Sequence, residues 1–533
     1  MAEPDPPGGD RVRAAEIIAT LSLATDLAIG VPLEHGLQST LIAMRLADSL
    51  GVDQTTARHT YYACLLFYVG CTATAETASE IFGGEDALTT HATPGRFGSR
   101  IEMITGMMRA VAPPSETALV RAGSIVRSLP KLAREFKGVV AATCEVAELL
   151  AGRLGLPAPI PALFTHTGER WDGNGEPGHL RGERLPLPMR IVQVARDAAF
   201  QSMLGGVGYA ARVVGGRAGG AFDPVIAGKL VDEAEKMLAF DPDMSVWEQT
   251  LASEPDPTLT LEGEAIDRAL AAIGDFADLA SHYLAGHSSG VAELATMAAG
   301  RAQLSGGEVV AVRRAALVHD LGRLAVPLAI WHKSGALSQD NWERVRLHAY
   351  HTERILSRSP FLAALSPIAT AHHERLDASG YHRGAPATAQ PRAARLLAAA
   401  DACHAMSEPR PHREALSPSK VADLLIEEAR TGRLDADAVA AVLEASGLRT
   451  PPRPRPSALT EREAEVIGLL SRGLLTKQIA YSLQISAKTA DRHIQNLYRK
   501  IGVSTRAAAT LFAMEHGLVP WGELPISPEP RRP

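Results

Sequence analysis

Residues 34–51 read EHGLQSTLIAMRLADSLG, and residues 286–302 read GHSSGVAELATMAAGRA. Each places a histidine ahead of apolar residues that recur at helical spacing, as in 42–50 and 291–299. Downstream, CLLFYVGCTA at 64–73 answers ALVHDLGRLA at 316–325, so that His35 pairs with His287 and Gly70 with Gly322 at one offset of 252. A second aligned stretch has an offset of 205: 143–150 matches 348–355, ERWD at 169–172 matches ERLD at 374–377, and 190–197 matches 395–402. Residues 11–245 and 263–447 therefore read as two copies of one helical domain, a duplication whose period is far too long for a solenoid. Alternating β-branched runs are scarce, and the expected fold class is all-α.

Working outward, the 533 residues suggest several domains. With 46% hydrophobic and 21% charged residues there is material for several buried cores, which excludes wholesale disorder. The formal net charge of −6 excludes a polybasic chain, so any nucleic-acid contact must come from a local patch. Cys64, Cys71, Cys144 and Cys403 form no paired framework, which fits a reducing compartment. The acidic start MAEPDPPGGD is not a signal peptide, and no uncharged apolar stretch reaches a membrane span. The expectation is a cytoplasmic protein with no membrane partner.

Composition sets the expected boundaries. Residues 1–10 read as a disordered N-terminus, 246–262 as a linker around the acidic segment 253–257, and 448–457 as a proline-rich tether (RTPPRPRPS lies at 449–457). A carboxy-terminal module spans 458–523, with a disordered tail at 524–533. The glycines of 205–220 lack GK[ST] and a preceding strand, and read as a flexible loop rather than a phosphate cradle.

Of 18 histidines, 11 lie between His282 and His412, far more than an even spread allows. His287, the doublet His319-Asp320, His348, the doublet His372-His373 and Asp401 stand out in order. Imidazole with carboxylate and no thiolate suits Fe, Mn, Zn or Co and argues against a structural zinc site. Isolated histidines such as His332, His351, His382 and His412 read as structural or surface residues. HDLGR resembles the signature of HD-superfamily phosphohydrolases, and AHHERLDASGYHRG (371–384) resembles the HHExxDGxGYP motif of their HD-GYP subgroup. AARLLAAADACHAM (393–406) is similar to that subgroup's closing segment.

The resemblance implies a helical bundle with a metal centre that hydrolyses phosphodiesters, notably cyclic di-GMP. Its ligands would be His287, His319, Asp320, His348, His372, His373 and Asp401, with Asp320 bridging two divalent ions (Fe, Mn or similar). Arg323 would be the cation beside the substrate phosphate, where the family usually places Lys. Tyr283 stands where some members carry a carboxylate for a third metal, and Gly380-Tyr381-His382 has lost the proline of GYP. Asp320 and Arg323 are the expected catalytic pair, acting on a cyclic dinucleotide or other phosphoester.

At the matched positions the first copy has Phe67, Tyr68, Cys71, Thr143, Thr167, Gly168 and Arg196; only His35 survives. It cannot hold a metal pair, and reads either as a sensing or dimerising domain or as a lid.

Residues 459–518 read LTEREAEVIGLLSRGLLTKQIAYSLQISAKTADRHIQNLYRKIGVSTRAAATLFAMEHGL. Thr460 with Glu463 makes a capping box, and Gln484-Ile485-Ser486 has the spacing of a helix-turn-helix turn. Across 459–520 eight bases face five acids, a local +3 on an acidic chain. This segment closely resembles the LuxR-type helix-turn-helix, a four-helix domain. The resemblance implies double-stranded DNA as partner, homodimerisation, and a third helix in the major groove. Lys488, Thr489, Arg492 and His493 would then face bases or nearby phosphates, while Lys477, Arg499 and Lys500 hold the backbone.

The expected whole is two HD-type bundles in tandem, the first degenerate, ending in a LuxR-type domain: a transcription regulator carrying an HD-GYP-like phosphohydrolase. The alternative is a metal- and nucleotide-binding sensor without significant catalysis.

Overall fold

The computed structural model describes residues 11–82, 87–112, 118–447 and 459–519. Helices dominate, as expected; the one sheet among the described residues is a two-stranded antiparallel pair, Arg11–Arg13 with Thr260–Glu262. The expected disordered ends at 1–10 and 524–533 and the tether at 448–457 lie outside the described residues.

The duplication appears element by element. Helices His35–Ser49, Gln54–Leu65 and Val69–Thr74 begin 252 residues before His287–Arg301, Gly306–Val318 and Leu321–Ala325. Pro161–His166 and Leu187–Gly205 begin 205 residues before Ser366–Ala369 and Arg392–Met406. Because the offset falls from 252 to 205, the first copy holds 47 more residues between Thr74 and Thr143 than the second holds between Val326 and His348. That insertion carries the helices Ala75–Phe82 and Arg100–Val111 and the start of the long helix Ala118–Arg153. Arg217 and Gln201 pin it to the bundle by donating to Pro94 O at 2.7 and 3.1 Å.

Shared side chains explain why both copies fold alike. Asp26 and Asp278 are buried and accept the backbone N–H of Gly36 (3.1 Å) and Ser288 (2.7 Å), each capping the turn into the next helix. Glu169 and Glu374, both 1% exposed, gather backbone N–H groups of the loops 178–180 and 383–385. Arg190 and Arg395 bind the helix-capping carboxylates Asp223 and Asp435 at 2.6 and 3.2 Å.

The copies pack reciprocally. Helix Ala14–Ala28 lies on Leu321–Ala325 and His348–Leu356, and its counterpart Glu264–Asp278 lies on Val69–Thr74 and the long helix. Ile17, Ile18 and Leu21 share one core with Ile266, Leu270 and Phe276. Two expectations need correction. The stretch 246–262 is no loose linker: it forms the helix Val246–Ala252, whose Trp247 is buried, and the strand that closes on the N-terminus. The glycine-rich 205–220 is mostly the helix Val207–Gly216, because the positive-φ breaks are confined to Gly206 before it and Gly219 after it.

The carboxy-terminal unit comprises helices Glu461–Ser471, Thr476–Ser482, Ala487–Ile501 and Arg506–Glu515. Its last helix buries Leu511 and Met514 in the core shared by the two bundles. Glu145 of the long helix accepts Ser504 N at 2.6 Å and Thr505 Oγ1 at 2.7 Å. No helix among the described residues is long and apolar enough to cross a membrane.

One close approach recurs in both copies. A Cβ on Gly70 would lie 1.8 Å from Thr143 O, and on Gly322, 1.9 Å from His348 O. Backbone cannot yield there, so Gly322→Ala and Gly70→Ala should each cost about 2 kcal/mol. Urea denaturation of the metal-free protein checks this; unchanged midpoints would contradict the packing described.

Candidate metal centre and recognition helix

The second copy brings all seven expected ligands into one cluster, buried except for the partly exposed His373. His287 opens its helix, His319 and Asp320 end Gly306–Val318, His348 begins its helix, His372-His373 follow Ser366–Ala369, and Asp401 lies in Arg392–Met406. Asp320 Oδ1 lies 3.3 Å from both His348 Nε2 and His372 Nε2. Its Oδ2 lies 3.4 Å from His287 Nε2 and 3.1 Å from His319 Nε2. Asp401 straddles the cluster in the same way: Oδ1 is 3.3 Å from His287 Nε2 and 3.8 Å from His319 Nε2, while Oδ2 is 3.8 Å from His373 Nδ1. Two adjacent donor groups result, Asp320/His348/His372/His373 and His287/His319/Asp401, each with ligand atoms within 4.8 Å of one another.

The hydrogen-bond pattern fits cations at both groups. Nδ1 of His319, His348 and His372 lies 2.7, 2.5 and 2.6 Å from the carbonyls of Ala316, Val345 and Ala369. A carbonyl only accepts, so each Nδ1 carries the proton and each Nε2 presents a lone pair inward. His348 Nε2 and His372 Nε2 then face each other at 3.2 Å, an arrangement that repels unless a cation lies between them. His287 Nε2, His319 Nε2, both oxygens of Asp320 and Asp401 Oδ1 are buried without a hydrogen-bond partner. Orphaned acceptors at this density are what a metal pair satisfies.

The two carboxylates make the cluster attract positive charge. Burial raises the cost of charge on Asp320, but Arg323, His319 and His287 hold its carboxyl well below the usual carboxylate range. Burial likewise opposes an imidazolium at His319, yet Asp320 and Asp401 lift its pKa to about 9, so that a proton on Nε2 takes the place a cation would fill. Burial dominates at His372 and lowers it to about 4.

Some parts were not legible in the motifs. Glu408, 1% exposed, accepts from His287 Nδ1 at 2.9 Å and is held by Arg410 at 2.9 Å. It fixes the tautomer of His287 as the carbonyls fix the others; its only sequence signal is an acid one turn beyond His404. Asp401 as a second bridge was also missed. Arg323 does not reach out freely: its Nη2 is 2.8 Å from Asp320 Oδ2 and its guanidinium lies over Trp331. Tyr381, in the loop that has lost its proline, stacks on His373 at 4.2 Å. His332 bonds Ser281 Oγ at 2.7 Å, outside the cluster, as a structural histidine would.

In the first copy an arginine fills the centre. Arg196, at the position of Asp401, is 2% exposed and lies over the rings of Tyr68 (4.3 Å) and Phe67 (5.5 Å), which replace Asp320 and His319. Burial and then Arg196 push His35 down to about 3.

At the carboxy-terminal unit, the capping box forms as expected, and Ser486 caps the third helix by accepting Thr489 N at 3.0 Å. Lys477, Lys488, Thr489, Arg492, Arg499 and Lys500 are exposed and His493 is half-buried. Lys500 also binds Glu463 at 2.7 Å. Ala490, Ile494 and Leu497 face the core of the unit itself, so the polar face of this helix is open to solvent.

Fold and site together define an HD phosphodiesterase-like domain joined to a LuxR-type DNA-binding domain. Residues 272–438 match the family model for the HD domain, and 457–513 match that of bacterial regulatory proteins of the luxR family. The chain is 28% identical over 442 residues to 3'3'-cGAMP-specific phosphodiesterase 3 of Vibrio cholerae, covering 81% of this chain and 95% of that protein. A crystal structure of a cyclic GMP-AMP specific phosphodiesterase of V. cholerae superposes with a TM-score of 0.57 at 24% identity, covering 83% of this chain and 99% of that one; it shows a shared fold. The terminal unit is 52% identical over 62 residues to the nitrate/nitrite response regulator protein NarP of Escherichia coli, covering 11% of this chain and 29% of that protein.

Two expectations follow. Glu408→Gln should weaken Mn(II) or Fe(II) binding about 10- to 100-fold, read by chelator competition, whereas unchanged affinity would remove its orienting role. His35 has a folded pKa below its ordinary value, so the unfolded chain binds the proton first. Stability is then intact above about pH 6.5 and falls by about 1.4 kcal/mol per unit on acidification toward pH 4. His35→Leu should lack that component, measured as the difference in urea-unfolding free energy between pH 6 and pH 4.

Proposed function

We propose that the second copy, 263–447, is a metal-dependent phosphodiesterase acting on a cyclic dinucleotide, and that 458–523 binds double-stranded DNA. The carrying observation is the buried Asp320, whose two oxygens each face a pair of imidazole Nε2 atoms. Two bound divalent ions would supply a water acidic enough to attack phosphorus at neutral pH. His287, His319 and Asp401 would hold one ion, and His348, His372 and His373 the other, with Asp320 shared. Glu408 and the carbonyls of Ala316, Val345 and Ala369 keep the imidazoles aimed. Arg323 holds Asp320 ionised and brings positive charge to the rim, where an equatorial phosphate oxygen needs it. The naming of the Vibrio relatives for 3'3'-cGAMP supports a cyclic dinucleotide as the substrate class.

DNA binding, in this reading, uses Lys488, Thr489, Arg492 and His493 toward base edges and Lys477, Arg499 and Lys500 toward phosphates, in a homodimer within the cytoplasm. A physical connection between the two activities is available. His282, in the turn before His287, packs 2.7 Å from where a Cβ on Gly473 would lie, and Gly286 packs on Val519. Occupancy that moves His287 or Glu408 would move this contact and with it the DNA-binding end.

The test combines two assays. Wild type loaded with Mn(II) should hydrolyse 3'3'-cGAMP or cyclic di-GMP, and Asp320→Ala should lose at least about 1,000-fold in kcat/KM, about 4 kcal/mol of transition-state stabilisation. Metal bound without hydrolysis of either nucleotide would favour the sensor reading. Arg492→Ala should weaken DNA binding by about 1–3 kcal/mol in gel shifts without changing hydrolysis.

A further inference from the structure

The first copy has lost its metal seat but not the space beside it. A cavity of about 800 Å³ opens there, lined by Tyr68, Cys71, Thr143, Thr167 and Gly168, which occupy the ligand and Arg323 positions of the duplication. Its outer wall is the insertion that the second copy lacks, through Ala78, Ile81, Phe97, Met103 and Met107. Its far wall belongs to the second copy, through Arg323, Leu324 and Trp331. The volume lies within the range of small-molecule sites, and the lining is mostly apolar with a few polar groups.

Those polar groups restrict the occupant. Arg170 is engaged by Asp172 at 3.1 Å and Gly98 O at 2.9 Å, Arg323 by Asp320 at 2.8 Å, and the exposed Arg100 bonds Asn174 Oδ1 at 3.4 Å. Arg96 differs. Its guanidinium lies 5.2–5.8 Å from the ring centres of Phe67, Tyr68 and Phe97, and it has no carboxylate partner among the described residues. Thr72, 3% exposed, also lines the cavity, and its Oγ1 has no hydrogen-bond partner. An unpaired guanidinium held against three rings binds an anion, and an idle buried hydroxyl adds a hydrogen bond. Of the four lining arginines among the described residues, Arg170 and Arg323 face carboxylates and Arg100 is exposed, which leaves Arg96 as the half-buried cation and favours a ligand with one anionic group.

We propose that the first copy is a binding site for a small amphipathic monocarboxylate: an apolar chain or ring in the cavity, its carboxylate on Arg96, with Thr72 a further polar group on the cavity wall. The insertion encloses the apolar part. An occupant lies against Arg323 and Trp331, and so touches the residue paired with Asp320. The proposal stands apart from the hydrolytic reading, since neither metal nor turnover enters it.

Decanoate, decan-1-ol and cyclic di-GMP serve as probes on the full-length chain, by calorimetry and tryptophan fluorescence. Decanoate should bind saturably at one site per chain, at least about tenfold tighter than decanol, and cyclic di-GMP should not displace it. Arg96→Gln should abolish the preference for acid over alcohol while retaining decanol binding. Ala78→Trp, which fills the cavity, should abolish both. No saturable decanoate binding, equal affinity for acid and alcohol, displacement by cyclic di-GMP, or an acid preference surviving in Arg96→Gln would each overturn the proposal. Binding of both probes unaltered in Ala78→Trp would overturn it as well.

Discussion

A carboxylate buried among imidazoles with both oxygens lacking a hydrogen bond is costly unless positive charge surrounds it. Asp320 is in that position, and much of the second copy is arranged around it. Arg323 approaches from the following turn, four imidazole Nε2 atoms approach from four segments, and Asp401 reaches His287, His319 and His373 of the same cluster. The helices are placed by what this requires. Gly322 lets the turn after Asp320 touch the backbone of His348, while Thr352 Oγ1 accepts Gly322 N at 2.9 Å and donates to His319 O at 3.1 Å.

The first copy shows the same constraint solved differently. With Phe67 and Tyr68 in place of the His-Asp pair, no carboxylate needs neutralising, and the guanidinium of Arg196 lies over the two rings. The close approach at Gly70, the buried Glu169 and the capping Asp26 survive, because they serve the backbone rather than the chemistry. The bundle therefore persists without its metal ligands, and the inserted helices close over the space that remains.

Position makes the third unit part of the same molecule. Its last helix is buried at the junction of both copies, Glu145 caps its Ser504-Thr505 turn, and Arg153 reaches Asp275 at 2.6 Å and Glu515 at 4.0 Å. Burying that helix leaves the exposed face of Ala487–Ile501, with its lysines and arginines, open to a large polyanion.

The linear text carried the all-α class, the duplication, the seven metal-site candidates and the helix-turn-helix, since these rest on periodicity, residue type and constant spacing along the chain. It misjudged 205–220 because glycine content marks freedom, not its use, and 246–262 because a short helix and strand there are stabilised by partners far along the chain. Glu408 and the bridging by Asp401 were invisible for a related reason. What makes an acid a partner of His287 is the distance across a folded bundle, and no local pattern encodes it. The cavity in the first copy and the seating of the last helix arise only when the two copies pack together, because each is built from surfaces that are separate until folding removes the water between them.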